Sequence, residues 1–302
     1  MAQTTNIKKL GIDIGGTYIK FAVLEGKEIL YKESIRTNTD SPEMLISDIA
    51  DEYKKIIKKY HVKKIGVGIP GTIKNGNVSA ANLPLKNVPF EKMLKEQFEG
   101  IEVSLENDAN CAALGETYMG VGEKYKNIVM ITLGTGVGGG IILDRKICPG
   151  NRWMGEIGHM IVQAEGGAPC RYGMHGCWEQ YASVTALIRK ATLEAKKNED
   201  SLLYKNYKEN NNSLDGKAIF EAFDKGCEVS KEVLDWYFDW LAVGIRSIIK
   251  IFAPDAVILA GGISAQKEKI LVPLKKRINM PDVELEISEL QNDAGAIGAA
   301  IL

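Results

Sequence analysis

One pattern limits the possible folds of this chain more than any other, and it occurs twice. An apolar strand runs into a glycine turn, and a second strand returns at once. Leu10 to Ile14 leads into Gly15-Gly16-Thr17, and Tyr18 to Leu24 comes back. Later, Asn127 to Leu133 leads into Gly134-Thr135-Gly136-Val137-Gly138-Gly139-Gly140, and Ile141 to Asp144 begins the return. Strands joined so tightly must be antiparallel. A third strand, Glu28 to Ser34, follows the first pair. The repetition is a weak internal duplication, the mark of two related halves. A chain of 302 residues exceeds one ordinary core and suits two lobes.

Other elements fall around these hairpins. Ser41 to Tyr60 reads as an amphipathic helix, capped by Ser41 with Pro42 at its first position. Leu45, Ile46, Ile49, Tyr53, Ile56 and Ile57 share one face. Strands are expected at Lys64–Ile69, Ile101–Leu105 and Ala256–Leu259, the last ending in Gly261-Gly262. A small-residue helix covers Ala109 to Met119, and a long one Lys231 to Phe252. The polar stretch Lys196 to Gly216 reads as a surface excursion between helices. Asp293 to Leu302, apolar and rich in Gly and Ala, suits a tightly packed final helix.

Charge and composition exclude several functions. Lys and Arg number 38 against 39 Asp and Glu, so no basic excess marks a nucleic-acid partner. Met1 to Leu10 lacks the apolar core of a secretion leader. No apolar run approaches the ~20 residues of a membrane span. Five cysteines, an odd number in a chain this long, read as cytosolic thiols or metal ligands rather than a disulfide framework. The expectation is a cytoplasmic protein.

Three places carry candidate chemistry. Glycines at the turn after Asp13 let backbone N–H groups approach phosphate oxygens, Thr17 adds a hydroxyl, and the Asp13 carboxylate can hold Mg²⁺ through water. An ordinary hairpin turn with a solvated Asp accounts for the same residues. Neither a G-x-x-x-x-G-K-[ST] loop nor a G-x-G-x-x-G strand-to-helix turn is present. The second glycine turn would carry a large entropic cost as a plain hairpin, which favours a second phosphate clamp over the alternative of a flexible loop. Finally, Glu106-Asn107-Asp108-Ala109-Asn110 lies where a strand enters a helix. There Asn107 or Asp108 is either a helix cap or a site residue.

Taken together these segments resemble a known family. The two hairpins and Ile258-Leu259-Ala260-Gly261-Gly262 are similar to the phosphate-1, phosphate-2 and adenosine motifs of the sugar kinase and actin superfamily. Glu156-Ile157-Gly158-His159, then Cys170, then Gly176-Cys177-Trp178-Glu179 resemble the motifs of the ROK family, of repressors, uncharacterised reading frames and kinases. The resemblance covers nearly the whole chain. It implies an α/β, two-lobed actin/hexokinase-like (ribonuclease H-like) fold with the active site in the interlobe cleft. One lobe would hold residues 1–118 with 288–302, the other 119–287. It implies an ATP-dependent hexose kinase working with Mg²⁺ as a homodimer, glucose being the first substrate to expect. N-acetylmannosamine, fructose, allose, a β-glucoside, or a silent sugar-binding role remain open. The repressor branch carries an N-terminal DNA-binding domain, for which the early first hairpin leaves no room.

The resemblance also implies roles. Asp108 would be the base, and Gly71, Asn82, Asn107, Glu156, His159 and Glu179 would line the sugar site. On bottom-up grounds alone, Glu156 and Glu179 read equally as solvated surface charges. Asp13, Gly15, Gly16, Thr17 and Lys20, with Thr132, Gly134, Thr135, Gly136, Gly261 and Gly262, would hold the nucleotide. Relatives carry a structural zinc on one His and three Cys. Here His159, Cys170 and Cys177 are present, but Tyr172 replaces the middle Cys, leaving His175 as the candidate fourth ligand. A metal-free loop packed on Tyr172, Met174 and Trp178 is the alternative. A second departure is Leu85-Lys86-Asn87, where many relatives place a Trp.

Overall fold

The computed structural model describes residues 7–150 and 153–302. Of the opening stretch Met1 to Leu10, residues 1–6 lie outside the described ones. The chain begins with three antiparallel strands, β1 (Lys8–Ile14), β2 (Tyr18–Glu25) and β3 (Glu28–Arg36). Helix α1 (Pro42–Ile57) follows, and the Ser41 hydroxyl accepts the Met44 N–H at 3.2 Å. The face drawn from the sequence is buried from Leu45 to Ile56, but Ile57, at the helix end, is exposed. Then come β4 (Val62–Ile69), the short strands β5 (Thr72–Lys74), β6 (Asn77–Ala80) and β7 (Leu85–Val88), helix α2 (Phe90–Gln97), β8 (Glu102–Asn107) and α3 (Asp108–Met119). β4 joins β1 in parallel, and β8 joins β4 in parallel. The resulting order is β3-β2-β1-β4-β8, with β5, β6 and β7 in a small separate sheet.

The same plan recurs. β9 (Ile128–Leu133), β10 (Val137–Leu143) and β11 (Lys146–Ile147) come first. Helices α4 (Glu179–Ala182), α5 (Val184–Lys197), α6 (Leu202–Glu209), α7 (Gly216–Asp224) and α8 (Glu228–Phe252) follow. β12 (Ala256–Ala260), α9 (Glu268–Ile278), β13 (Glu284–Ile287) and α10 (Ala294–Ala300) complete the described chain. The second sheet has the order β11-β10-β9-β12-β13. Strand for strand this repeats the first sheet, so the duplication seen in the hairpins extends to the whole sheet plan.

Two expectations need correction. The second glycine turn is shorter than its glycine content implies, because Gly138, Gly139 and Gly140 belong to strand β10. Gly139 and Gly140 sit where neighbours crowd the strand. A Cβ on Gly139 would stand 2.6 Å from Ile157 Cδ1, and one on Gly140 would stand 2.6 Å from Ala113 Cβ. The polar stretch after Lys196 is not all loop, since α6 lies within it. Ser201 caps that helix, and Leu203 and Tyr207, four apart, bury its one apolar edge.

By internal contacts the chain forms two units. One runs up to Ile128 and includes Gly140–Met154 and Glu289–Leu302; the other comprises Val129–Gly139 and Gly155–Ser288. The division gives residues 119–128 and 140–154 to the first unit, where the lobe boundary read from sequence placed them in the second. In the first unit, Leu10, Ile12, Phe21, Ile49, Val67 and Phe90 belong to one core between α1, α2 and one sheet face. α10 packs where small residues let main chains touch. A Cβ on Gly11 would lie 2.6 Å from the Ala300 nitrogen, and one on Gly66 would lie 2.7 Å from the Ala299 carbonyl carbon. Among the described residues no helix is long and apolar enough to cross a membrane.

Candidate active site

In the first unit, the turn between β1 and β2 is closed by its own backbone. The Gly15 N–H donates to the Tyr18 carbonyl at 2.9 Å. Thr37, at the end of β3, braces the turn twice. Its hydroxyl donates to the Gly15 carbonyl at 2.7 Å, and its N–H donates to the Thr17 carbonyl at 2.9 Å. Asp13 lies beneath the turn with its carboxylate 3.5 Å from the Lys20 ammonium. Burial raises the Asp13 pKa, and Lys20 opposes the rise. So Lys20 is tied to Asp13, whose carboxylate is largely withdrawn from water.

The junction of β8 and α3 lies in the same unit. Asn107 caps α3, its Oδ1 accepting the Ala109 N–H at 2.9 Å and the Asn110 N–H at 3.3 Å. Its amide nitrogen donates to the Gly71 carbonyl at 3.3 Å. Gly71 holds φ +96°, a backbone state that side chains disfavour. Asp108 is the first residue of α3, with Oδ1 2.9 Å from the Ala109 nitrogen. The cap reading thus holds for Asn107, and Asp108 stands beside it. Asn82 packs by the first turn, since a Cβ on Gly16 would lie 3.7 Å from its Cβ.

The second unit gathers Glu156, His159 and Glu179. His159 presents Nε2 to the Glu156 carboxylate at 3.8 Å and Nδ1 to the Cys170 sulfur at 3.3 Å. Burial raises the Glu156 pKa, with Glu179 adding and Arg171 opposing. Burial lowers that of His159, against the pull of Glu179. Neither Glu156 nor Glu179 is a fully solvated surface charge. Glu179 reaches the second glycine turn, where its Oε2 accepts the Val137 N–H at 3.0 Å. Gly134 and Thr135 are tied to the start of α5. The Val184 N–H donates to the Gly134 carbonyl at 2.9 Å, and the Thr185 hydroxyl donates to the Thr135 carbonyl at 2.9 Å. Thr132 is half-buried in β9. Gly261, at φ +96°, faces a crowded Leu133, and Gly262 beside it is open.

The metal set is incomplete. Donor atoms of His159, Cys170 and Cys177 lie within 4.8 Å of one another. His175 is exposed and stands outside this group. Tyr172 sets its ring edge-on to His159, centroids 4.5 Å apart. A closed structural zinc takes four N or S ligands, and among the described residues only three converge. Packing and hydrogen bonds also hold the loop. The Trp178 indole is fully buried and donates to the Trp240 carbonyl at 2.8 Å. The Val162 N–H donates to the Gly176 carbonyl at 2.8 Å, and the Cys170 N–H donates to the Met174 carbonyl at 2.7 Å. Tyr172 and Met174, expected to pack the loop, are exposed. Burial, then the hydrogen bond with Cys170, push the Cys177 thiol up to about 11. We expect a chelator to leave the melting temperature unchanged, and Tyr172→Cys to add zinc-dependent stability. One equivalent of zinc in the unaltered protein, with melting lowered by chelator, would count against this.

The model of the ROK family matches residues 9–302. The chain belongs to the ROK family. Similar proteins include the glucokinase of Halalkalibacterium halodurans, 37% identical over 97% of this chain and 94% of that protein. The glucokinase of Thermotoga maritima is 35% identical over 97% and 96%. Among solved structures, a ROK family glucokinase from Streptomyces griseus in complex with glucose and AMPPNP is 31% identical. It superposes with a TM-score of 0.81 over 97% of this chain and 98% of that one. The fold is thus of the α/β, actin/hexokinase-like class seen in ROK kinases. Motif reading missed Thr37 and Thr185, since a single threonine outside a glycine turn gives no local signal.

Proposed function

We propose that this protein is an ATP-dependent hexose kinase, with glucose as acceptor and glucose 6-phosphate as product. The observation that carries the reading is the β8–α3 junction. It sets a carboxylate, Asp108, next to an amide, Asn107, that is fixed at both ends by the α3 N–H groups and the Gly71 carbonyl. Similarity to glucokinases over nearly the whole chain supports glucose.

In this reading Asn82, Asn107, Glu156, His159 and Glu179 hold the sugar hydroxyls, and Gly71 lines the pocket. The hydroxyl oxygen attacks the γ-phosphorus of ATP, the bond to the β-γ bridging oxygen breaks, and the hydroxyl proton passes to Asp108. The two glycine turns supply N–H groups to the phosphates, and Gly261-Gly262 lie by the adenosine. Asp13 would hold Mg²⁺ through water; bound with ATP, that ion neutralises charge on the phosphates. Little covalent work falls to the protein, so most of the rate comes from positioning and fixed charge. The lobes of residues 1–118 with 288–302 and of 119–287, a cytoplasmic setting and a homodimer belong to the same reading on family grounds.

The test is ADP release with Mg-ATP over a panel of hexoses, N-acetylhexosamines and β-glucosides. Glucose should give the highest kcat/KM. Tight nucleotide binding without turnover on any sugar would favour a silent binding protein. A better rate on an N-acetylhexosamine would keep the kinase and move the substrate.

A further inference from the structure

We infer that Glu179 is a joint between the sugar site and the phosphate turn, so that each ligand is felt at the other's site. The inference rests on the kinase reading above and deepens it. Glu179 Oε2 is already engaged by the Val137 N–H at 3.0 Å. A Cβ on Gly136 would fall inside the contact distance of that same oxygen and 3.2 Å from Glu179 Cδ. Gly136 is not among the glycines at positive φ. Glycine there leaves room for the carboxylate.

Other contacts bring the same elements together. A Cβ on Gly139 would stand 2.8 Å from the Gly155 carbonyl, and one on Gly158 would stand 3.1 Å from Val137 Cβ. The turn that serves the phosphates is thus fitted onto the segments that carry Glu156, His159 and Glu179. A carboxylate holding a sugar hydroxyl through one oxygen keeps the other on the turn, so sugar and phosphate share one rigid piece. Coupling between two ligands is a reciprocal free energy and can be measured from either side.

Two binding measurements without catalysis test this. The first is the affinity for AMPPNP in the absence of sugar. Glu179→Ala, which removes a group that touches no phosphate, should weaken AMPPNP about fivefold or more. Glu179→Gln keeps an oxygen for the Val137 N–H and should leave it unchanged. The second is the affinity for glucose in the absence of nucleotide. Gly136→Ala, a change within the phosphate turn, should weaken glucose by about fivefold or more, with the melting temperature held. Unchanged AMPPNP affinity in Glu179→Ala, or unchanged glucose affinity in Gly136→Ala, overturns the joint while leaving the kinase reading intact. Failure of the unaltered protein to bind any sugar of the panel overturns both.

Discussion

Asp108→Asn is expected to lower kcat by about 10²–10⁴-fold while leaving glucose affinity within a few-fold. The isosteric amide keeps an Oδ1 for the Ala109 N–H, which Asp108 Oδ1 meets at 2.9 Å. The cap of α3 does not depend on it, because Asn107 caps the helix. Fold and sugar binding are therefore retained, and what disappears is a carboxylate able to take the hydroxyl proton. The measurement is steady-state turnover beside direct glucose binding, so that kcat and affinity are read apart. Turnover like that of the unaltered protein would remove Asp108 from the role of base. A parallel loss of binding would make it a sugar ligand first.

The second large effect is structural. Gly298→Ala should destabilise the protein by about 3 kcal/mol or more, since overpacking a tight contact typically costs 1–3 kcal/mol and more where the neighbour cannot move. Here the obstacle is main chain. A Cβ at this position would fall inside the contact distance of the Cys111 carbonyl oxygen and 2.8 Å from the Gly115 nitrogen. Neither can rotate away as a side chain would. For a chain of this size the melting temperature should fall by on the order of 10 °C. Thermal unfolding with and without AMPPNP measures it. A fall of only a degree or two would mean that α3 and α10 can slide apart at little cost.

The sequence was legible where a local rule decides the structure. Ser41 and Pro42 fix the start of α1, and the first turn shows itself in Gly15-Gly16-Thr17. The repeat of hairpins foretold two related sheets. It failed where the deciding partner lies far along the chain. Gly139 and Gly140 read as turn because nothing nearby tells that Ile157 and Ala113 crowd them. The small sheet of β5, β6 and β7 was invisible, since three- and four-residue strands show no usable alternation. His175 reads as a fourth ligand by spacing, yet it is exposed and stands outside the group of His159, Cys170 and Cys177. The bond from Val137 to Glu179 joins residues that belong to different motifs, so neither motif announces it.

The seam between α3 and α10 also bears on how the protein is made. Gly11, Gly66 and Gly115 are all synthesised early, and each is shaped for α10, which emerges from the ribosome long afterwards. Until those residues appear, the sheet of β1 and β4 and the helix carrying Asp108 have a groove of bare backbone where α10 belongs. Residues 155–288, by contrast, form one continuous stretch that supplies most of the other unit. Translation therefore delivers the ingredients of the second unit before the first can close. The half that holds Asp108 therefore gains its last packing partner only when α10 is made.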